Sequence, residues 1–327
     1  MKLGVIVFAY RRYHYLNDAI ASISKQTRTP NEILIFTDNR SAVKQVLEKY
    51  SLSADIIEEE LTIPGVLGRV GEISSSDYVF PLDDDDAFKE NKLEIIEKYL
   101  YKDSYVLLKH AMEFIDINSK TTTWIMQPEK AIVITTKNAW IEFRKFPYHM
   151  WTSSFAIRTK LISKYSAELK KMLRLIDFAV FILALQEGPI LYVPLKLGYY
   201  RVGSGHSQLT SCDKLPEIIC NWNAYAYDAD FLMKLVNNND LRKVIYYLYF
   251  SHLLKIYLLN TSQSRCNFTY NVSYFTLLKK SLFLVTRKIY PLRKALLLSW
   301  LSPLIGHKRA KNIYQKRLCS NIPFERY

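Results

Sequence analysis

The sequence has no long apolar run. Its longest stretches free of Asp, Glu, Lys and Arg, residues 266–278 and 295–307, are 13 residues each, whereas a bilayer-spanning helix needs about 20. This argues against a polytopic membrane protein. The opening Met1-Lys2-Leu3-Gly4-Val5 has one basic residue and an apolar run soon broken by Arg11 and Arg12, which is not the pattern of a signal peptide. Glycine is scarce, at 9 of 327 residues, while 49% of the chain is hydrophobic and 14% aromatic. That balance excludes general disorder and supplies a substantial core. The four cysteines (Cys212, Cys220, Cys266 and Cys319) show no CxxC spacing, so neither a zinc site nor a disulfide framework is expected, and a reducing compartment is the default. Internal repeats and low-complexity linkers are absent. Acidic residues become rare late in the chain: residues 240–327 contain sixteen Lys and Arg but only Asp240 and Glu325, whereas residues 1–239 are balanced at 29 of each sign. The net charge of +14 therefore belongs to the last 88 residues, which predicts two parts with different partners.

The first part alternates strand-like and helix-like segments. Leu3–Ala9 is a continuous β-branched and apolar run, short enough to be a buried strand. Residues 13–25 follow at helical spacing, with Leu16, Ile20 and Ile23 on one face. Further strands are predicted at 32–37, 54–58 and 77–82, with a helix at 42–50. Strand, helix, strand, helix with short loops reads as right-handed βαβ units in a mostly parallel sheet. Ligands of such sheets lie beyond the carboxyl ends of the strands, which directs attention to Ala9-Tyr10-Arg11, Asp38-Asn39, Ile63-Pro64-Gly65 and the tetrad Asp83-Asp84-Asp85-Asp86. Extra strands are expected within 120–136, a helix at 173–186 and a strand at 190–193. Beyond Pro216 the pattern is helical. The resulting division is 1–215 and 216–327.

The tetrad is the sharpest single feature. Four adjacent carboxylates repel one another unless a cation is present. If the strand alternation continued, Asp83 and Asp85 would converge on one hard divalent ion, whose shell substrate phosphates commonly complete. The alternative is a solvated acidic turn that caps the helix after Ala87.

Val5-Ile6-Val7-Phe8-Ala9-Tyr10-Arg11-Arg12, Tyr15-Leu16-Asn17-Asp18-Ala19-Ile20, Gln26-Thr27, Glu32-Ile33-Leu34-Ile35 and Asp38, followed by Tyr78-Val79-Phe80-Pro81-Leu82 and the tetrad, resemble the opening of glycosyltransferase family 2. The resemblance continues through Trp151-Thr152-Ser153-Ser154, Asp177, 188–193 and Tyr200-Arg201 to His206-Ser207, covering roughly residues 3–208. It implies a GT-A fold, an α/β Rossmann-like mixed sheet flanked by helices, with a C-terminal helical basic region added. It also implies transfer of a sugar from a nucleotide-diphosphate donor, UDP- or GDP-linked, to a hydroxyl acceptor, with inversion. On this reading Ala9, Tyr10, Arg11 and Asp38 line the nucleotide, and Arg69, Asp84 and Arg201 reach the donor. Asp83, Asp85 and His206 hold Mn²⁺ or Mg²⁺ as a DxD-type site, and Asp177 is the general base. Each role has a plainer counterpart: a loop histidine for His206 and a first-turn helix acid for Asp177. A metal-dependent phosphohydrolase or nucleotidyltransferase, or a non-catalytic membrane or nucleic-acid adaptor on the same fold, are the competing functions. The sequence departs from the family in having Thr37-Asp38 where two acids are usual, no Asn after Arg69, and Ile176 before Asp177. It has no Gln-x-x-Arg-Trp motif, which argues against processive synthases.

In the basic part, Leu278, Leu282, Val285, Ile289, Leu292 and Leu296 recur on one helical face, with Lys280, Arg287 and Lys294 opposite. Trp300, Leu301, Leu304 and Ile305 then precede Lys308, Arg309, Lys311, Lys316 and Arg317. This fits a helix lying on an anionic membrane, making the protein peripheral on the cytoplasmic face with a glycan or lipid-linked acceptor. A stripe packed on the catalytic core or a partner subunit is the alternative. No zinc-finger, RNP or helix-turn-helix signature supports nucleic acid as the partner.

Overall fold

A computed structural model describes residues 1–10, 12–102, 105–123, 126–204, 214–259, 272–275, 277, 299–304 and 306–320. Chain contacts divide them into two units, 1–205 and 206–327; the sequence pattern placed the division at 215/216.

The first unit is built on a mixed ten-stranded sheet. In chain order its elements begin with β1 (Leu3–Ala9), α1 (Tyr13–Ser24), β2 (Glu32–Thr37), α2 (Arg40–Lys49), β3 (Asp55–Glu58), α3 (Ile63–Ile73), β4 (Tyr78–Asp83), β5 (Ala87–Phe88) and α4 (Lys92–Lys102). They continue with β6 (Leu107–Ile115), β7 (Thr121–Thr122), β8 (Ile132–Ile134), α5 (Ala139–Lys145), a 3₁₀ turn at Thr152–Ser154, β9 (Phe155–Arg158), α6 (Thr159–Lys164), α7 (Ser166–Leu169), α8 (Ile176–Glu187) and β10 (Ile190–Arg201). The main path of the sheet is β3-β2-β1-β4-β9-β6-β10-β5, with β7 on β6 and β8 on β10. The half that starts the chain is parallel, as the alternation predicts. Strands β9, β5, β7 and β8 pair antiparallel, so the sheet is mixed. β10 extends to Arg201, well past the predicted end at residue 193, by passing two register shifts near Pro194. A proline can donate no ladder bond and is tolerated at such an irregularity.

Local chemistry explains the elements around the site. β1 is buried along its whole length, as suits a central strand covered on both faces. The Asn39 side chain accepts the Ala42 N–H at the start of α2 (3.1 Å), and Thr62 accepts the Gly65 N–H at the start of α3 (3.1 Å). Both satisfy donors that a helix start leaves open. Helix α8 is apolar on all sides and buried from Phe178 to Leu185, which makes it a core helix. Asp177 is the exception, a half-buried acid in its first turn.

The second unit contains α9 (Leu215–Leu235) and α10 (Asn239–Leu259), which pack together as a helical hairpin, and α11 (His307–Ser320), which packs on α10. Asn238 caps α10 by accepting the Leu241 N–H at 3.1 Å. Cys220 is disulfide-bonded; the cysteine spacing indicated no disulfide framework, and spacing along a chain does not report which Cα atoms approach in space. Among the described residues, no helix is long and apolar enough to cross a membrane. The stripe from Leu278 to Leu296, with Lys280, Arg287 and Lys294, lies outside the described residues.

Candidate active site

Strand register assembles the site. Ala9 lies opposite Thr37 and Phe8 opposite Asp83, so β1, β2 and β4 end together at the sheet's carboxyl edge. The residues leaving them (Tyr10, Asp38 and the acidic tetrad) share one crevice, where open parallel sheets bind ligands.

On one side, Tyr10 donates its hydroxyl to the Glu59 carbonyl at 2.9 Å. Arg69 pairs with the carboxylates of Glu59 and Glu72, both at 3.3 Å. The Tyr13 hydroxyl bonds Asp38 and lies 2.9 Å from Thr37 Oγ1. Burial first, and then the charges of Asp38 and Glu59, push the Tyr10 phenol above its ordinary pKa. The structure thus gathers Ala9, Tyr10, Asp38 and Arg69, and adds Tyr13 and Glu59, which sequence reasoning missed. Arg11 lies outside the described residues.

The tetrad departs from the expected geometry. β4 stops at Asp83, and the Asp86 N–H returns to the Asp83 carbonyl at 3.2 Å, so a turn replaces strand alternation. Arg12 reaches into this turn, at 2.5 Å from Asp84 and in contact with Asp85. Asp85 also accepts from Ser204 Oγ at 2.6 Å. Arg201 is buried beneath the turn. Its side chain donates to the Asp85 carbonyl (3.1 Å), Ser119 Oγ (2.9 Å) and Asp18 (3.0 Å), its backbone N–H reaches Asp86 (3.1 Å), and it stacks on Tyr15. It braces the turn, with its donors on protein oxygens.

Burial raises the carboxyl pKa values of Asp83, Asp84 and Asp86. Asp83 is pushed up to about 7 by burial and Asp85, with Arg12 opposing and Asp177 adding. Asp84 is pushed up to about 8 by burial, against Arg12. Asp86 lies well above its ordinary value, chiefly through burial. Burial pulls the Arg12 guanidinium down, but Asp85 and Asp84 outweigh it and raise its pKa. The donor set is oxygen only, and Asp86 Oδ2 is buried without a hydrogen-bond partner, chemistry that fits a hard cation. Among the described residues, no three His, Cys, Asp or Glu side chains are grouped to hold a metal by themselves; His206 lies outside them.

Asp177 is joined to the tetrad through adjacent residues: the Thr152 hydroxyl donates to Asp177, and Ser153 Oγ accepts from the Asp83 N–H. Burial lifts the Asp177 carboxyl to about 6, while the Thr152 hydroxyl, the Lys109 ammonium and the Trp151 backbone N–H counter the rise. The neighbouring Ser153 Oγ accepts the Asp83 N–H at 3.0 Å. One segment, 151–154, therefore touches both the proposed metal-binding turn and the proposed base. The sequence did carry a signal for the lysine: Lys109 interrupts the apolar run Val106-Leu107-Leu108 of β6, and lysine is almost never fully buried without a partner.

The mixed sheet, the crevice at its parallel carboxyl edge and the acidic turn beneath it define a GT-A-type glycosyltransferase. Residues 4–165 match Glycosyl transferase family 2. An uncharacterized glycosyltransferase of Nostoc sp. is 26% identical over 231 residues, 66% of this chain and 70% of its own. The uncharacterized glycosyltransferase YwdF of Bacillus subtilis is 30% identical over 109 residues, 32% of this chain and 41% of its own. Among solved structures, residues 1–349 of S. aureus TarS align over 100% of this chain and 93% of that one, with a TM-score of 0.55 and 18% identity. The same protein in complex with UDP-GlcNAc aligns over 97% and 90%, with a TM-score of 0.56 and 20% identity. At such identities the likeness is one of fold.

Proposed function

We propose that this glycosyltransferase moves a sugar from a nucleoside-diphosphate donor to a hydroxyl acceptor with inversion, using Asp177 as the general base. The observation that carries the reading is that the carboxyl ends of β1, β2 and β4 come together, with Asp177 tied to the same turn through Thr152 and Ser153. Tyr10, Asp38 and Arg69 would bind the nucleoside and its phosphates. Asp83 and Asp85, with His206, would hold Mn²⁺ or Mg²⁺, and Asp84 would stand beside the diphosphate. When bound, such an ion would neutralise charge on the departing diphosphate. Asp177 would take the acceptor hydroxyl's proton as the oxygen attacks the anomeric carbon. Thr152 Oγ1 and the Trp151 N–H both bond that carboxylate and so would fix its orientation. Since TarS of this fold was crystallised with UDP and with UDP-GlcNAc, uridine donors are the first to try.

The basic second unit supports a location for the enzyme. Lys308, Arg309 and Lys316 of α11 are exposed, as are Leu301, Leu304 and Ile313, and α11 has no acidic residue. Basic and apolar groups exposed together suit an anionic membrane surface, with the enzyme peripheral on the cytoplasmic face and a membrane-borne acceptor.

Calorimetry with UDP and GDP, with and without Mn²⁺, followed by a turnover screen of UDP-GlcNAc, UDP-glucose and GDP-mannose, tests the donor. Asp177→Asn should lower transfer by about 10²–10⁴-fold, the range of a general base, and leave nucleoside-diphosphate affinity within about twofold. Loss of both together would make Asp177 structural. Failure of either nucleotide to bind would remove the donor reading.

A further inference from the structure

Two lysines of the first unit, Lys92 and Lys109, are wholly buried, and both point at the same short segment. Lys92 Nζ donates to the Ser153 carbonyl at 2.7 Å and sits 3.5 Å from the Phe88 ring centroid. Lys109 Nζ donates to the Met150 carbonyl and, at 2.6 Å, to Ser154 Oγ. The rings of Trp151 and Phe155 lie 4.9 and 5.0 Å from it. Between its two anchors the chain passes through Trp151 at φ 66°. This left-handed conformation is unfavourable for a bulky side chain and persists only where its surroundings enforce it. The turn sends the Trp151 N–H and the Thr152 hydroxyl to Asp177.

We propose that Lys109 is a positioning residue for Asp177. By bonding Met150 and Ser154 it clips the ends of the left-handed turn, so that two donors stay aimed at the Asp177 carboxylate, and its ammonium provides an opposing charge. The catalytic part of this inference rests on Asp177 being the base; the clip itself does not. Burial pulls the Lys109 ammonium down to about 7, and Asp177 counters that pull, so each group favours the other's charged form. The remaining titratable groups nearby are Asp83 at the end of β4, Lys92 of α4, His110 of β6 and His149 beside Phe143 and Phe178. Burial and Lys109 hold His149 down, at about 3, so it stays neutral across the working range. A lysine that served only to fill β6 would satisfy its own hydrogen bonds and leave Asp177 unaffected.

The test is an NMR titration of the metal-free, full-length protein carrying ¹³C-labelled aspartate, with the Asp177 signal assigned by its loss in Asp177→Asn. In Lys109→Met, which conserves length and removes the charge, the Asp177 carboxyl should titrate about one pH unit higher, a tenfold change in its ionisation constant. The melting temperature should fall, because removing one partner leaves the Asp177 charge and the Met150 carbonyl uncompensated; the titration is read well below the variant's transition. Ser154→Ala keeps the ammonium but removes one anchor; it should shift Asp177 the same way by less, and it decides the matter if Lys109→Met does not fold. An Asp177 signal that titrates as in wild type in the folded variant overturns the proposal. The base reading is judged separately, by whether Asp177→Asn still turns over the sugar donor that wild type accepts in the screen. Transfer by Asp177→Asn would overturn the base and leave a shifted Lys109→Met titration standing as evidence for the clip.

Discussion

At Asp177 two effects pull in opposite directions. Burial favours the neutral acid, while the Thr152 hydroxyl, Lys109 and the Trp151 N–H favour the carboxylate, and the balance sits near 6. A base must be unprotonated to act, so its working form accumulates as pH rises through that value. Transfer at saturating donor should therefore fall about tenfold per pH unit below 6 and level off above it, as read from a pH–rate profile. A rate that is flat from pH 5 to 8 would assign the limiting proton transfer elsewhere. The neighbouring residues show what could be read from the chain. Asp83, Asp84, Asp85 and Asp86 were conspicuous as four acids after an apolar strand. Arg12 was not, because nothing in its position after β1 says that its guanidinium will enter a turn some seventy residues later. Arg201 was singled out only by the family resemblance; its place at the end of β10 and its burial beneath that turn were not legible.

At the scale of elements, α3 is placed by its lack of side chains. A Cβ on Gly71 would lie 2.6 Å from the Ile162 carbonyl oxygen and 2.8 Å from the Ser163 nitrogen, and one on Gly68 would lie 2.7 Å from the Ser166 carbonyl oxygen. The helix backbone thus rests directly against α6 and α7, with Thr62 adding a hydrogen bond to the Met172 carbonyl at 2.9 Å. Alanine in a helix is ordinarily favoured over glycine by about 1 kcal/mol, but backbone atoms cannot yield as a flexible side chain would. Gly71→Ala should destabilise the protein by about 1–3 kcal/mol through overpacking, measured as an earlier urea midpoint, and should weaken donor binding by shifting Arg69. An unchanged midpoint would show that α3 slides at no cost. Here the sequence was partly informative. The segment was noted as Ile63-Pro64-Gly65 after a strand but no helix was read there, and the partner that Gly68 and Gly71 approach comes from about a hundred residues away. Strands β1 to β4 were legible from apolar runs and intervening helical periods. Extra strands were expected within 120–136, where β7 and β8 lie, whereas β5, two residues long, is too short for any periodicity to reveal.

At the scale of the whole molecule, charge separates the two units more clearly than any boundary signal. If the second unit meets an anionic surface, the combined substitutions Lys308→Glu, Arg309→Glu, Lys311→Glu and Lys316→Glu in the full chain should abolish cosedimentation with phosphatidylglycerol vesicles. Binding to phosphatidylcholine vesicles should be weak throughout, since each basic residue near an anionic surface contributes about 1 kcal/mol. Retained binding to anionic vesicles would place the contact elsewhere. The sequence by itself determined the parallel α/β start, the acid-rich strand end and the segregation of charge, because each is written in neighbouring residues and needs no long-range partner. Tertiary structure decided that the sheet is mixed, that Arg12 and Arg201 meet the acidic turn from opposite ends of the unit, and that Lys109 and the 151–154 turn grip Asp177. Those contacts join residues far apart in the chain, and their energies come from burial and close approach, which exist only once the chain has folded.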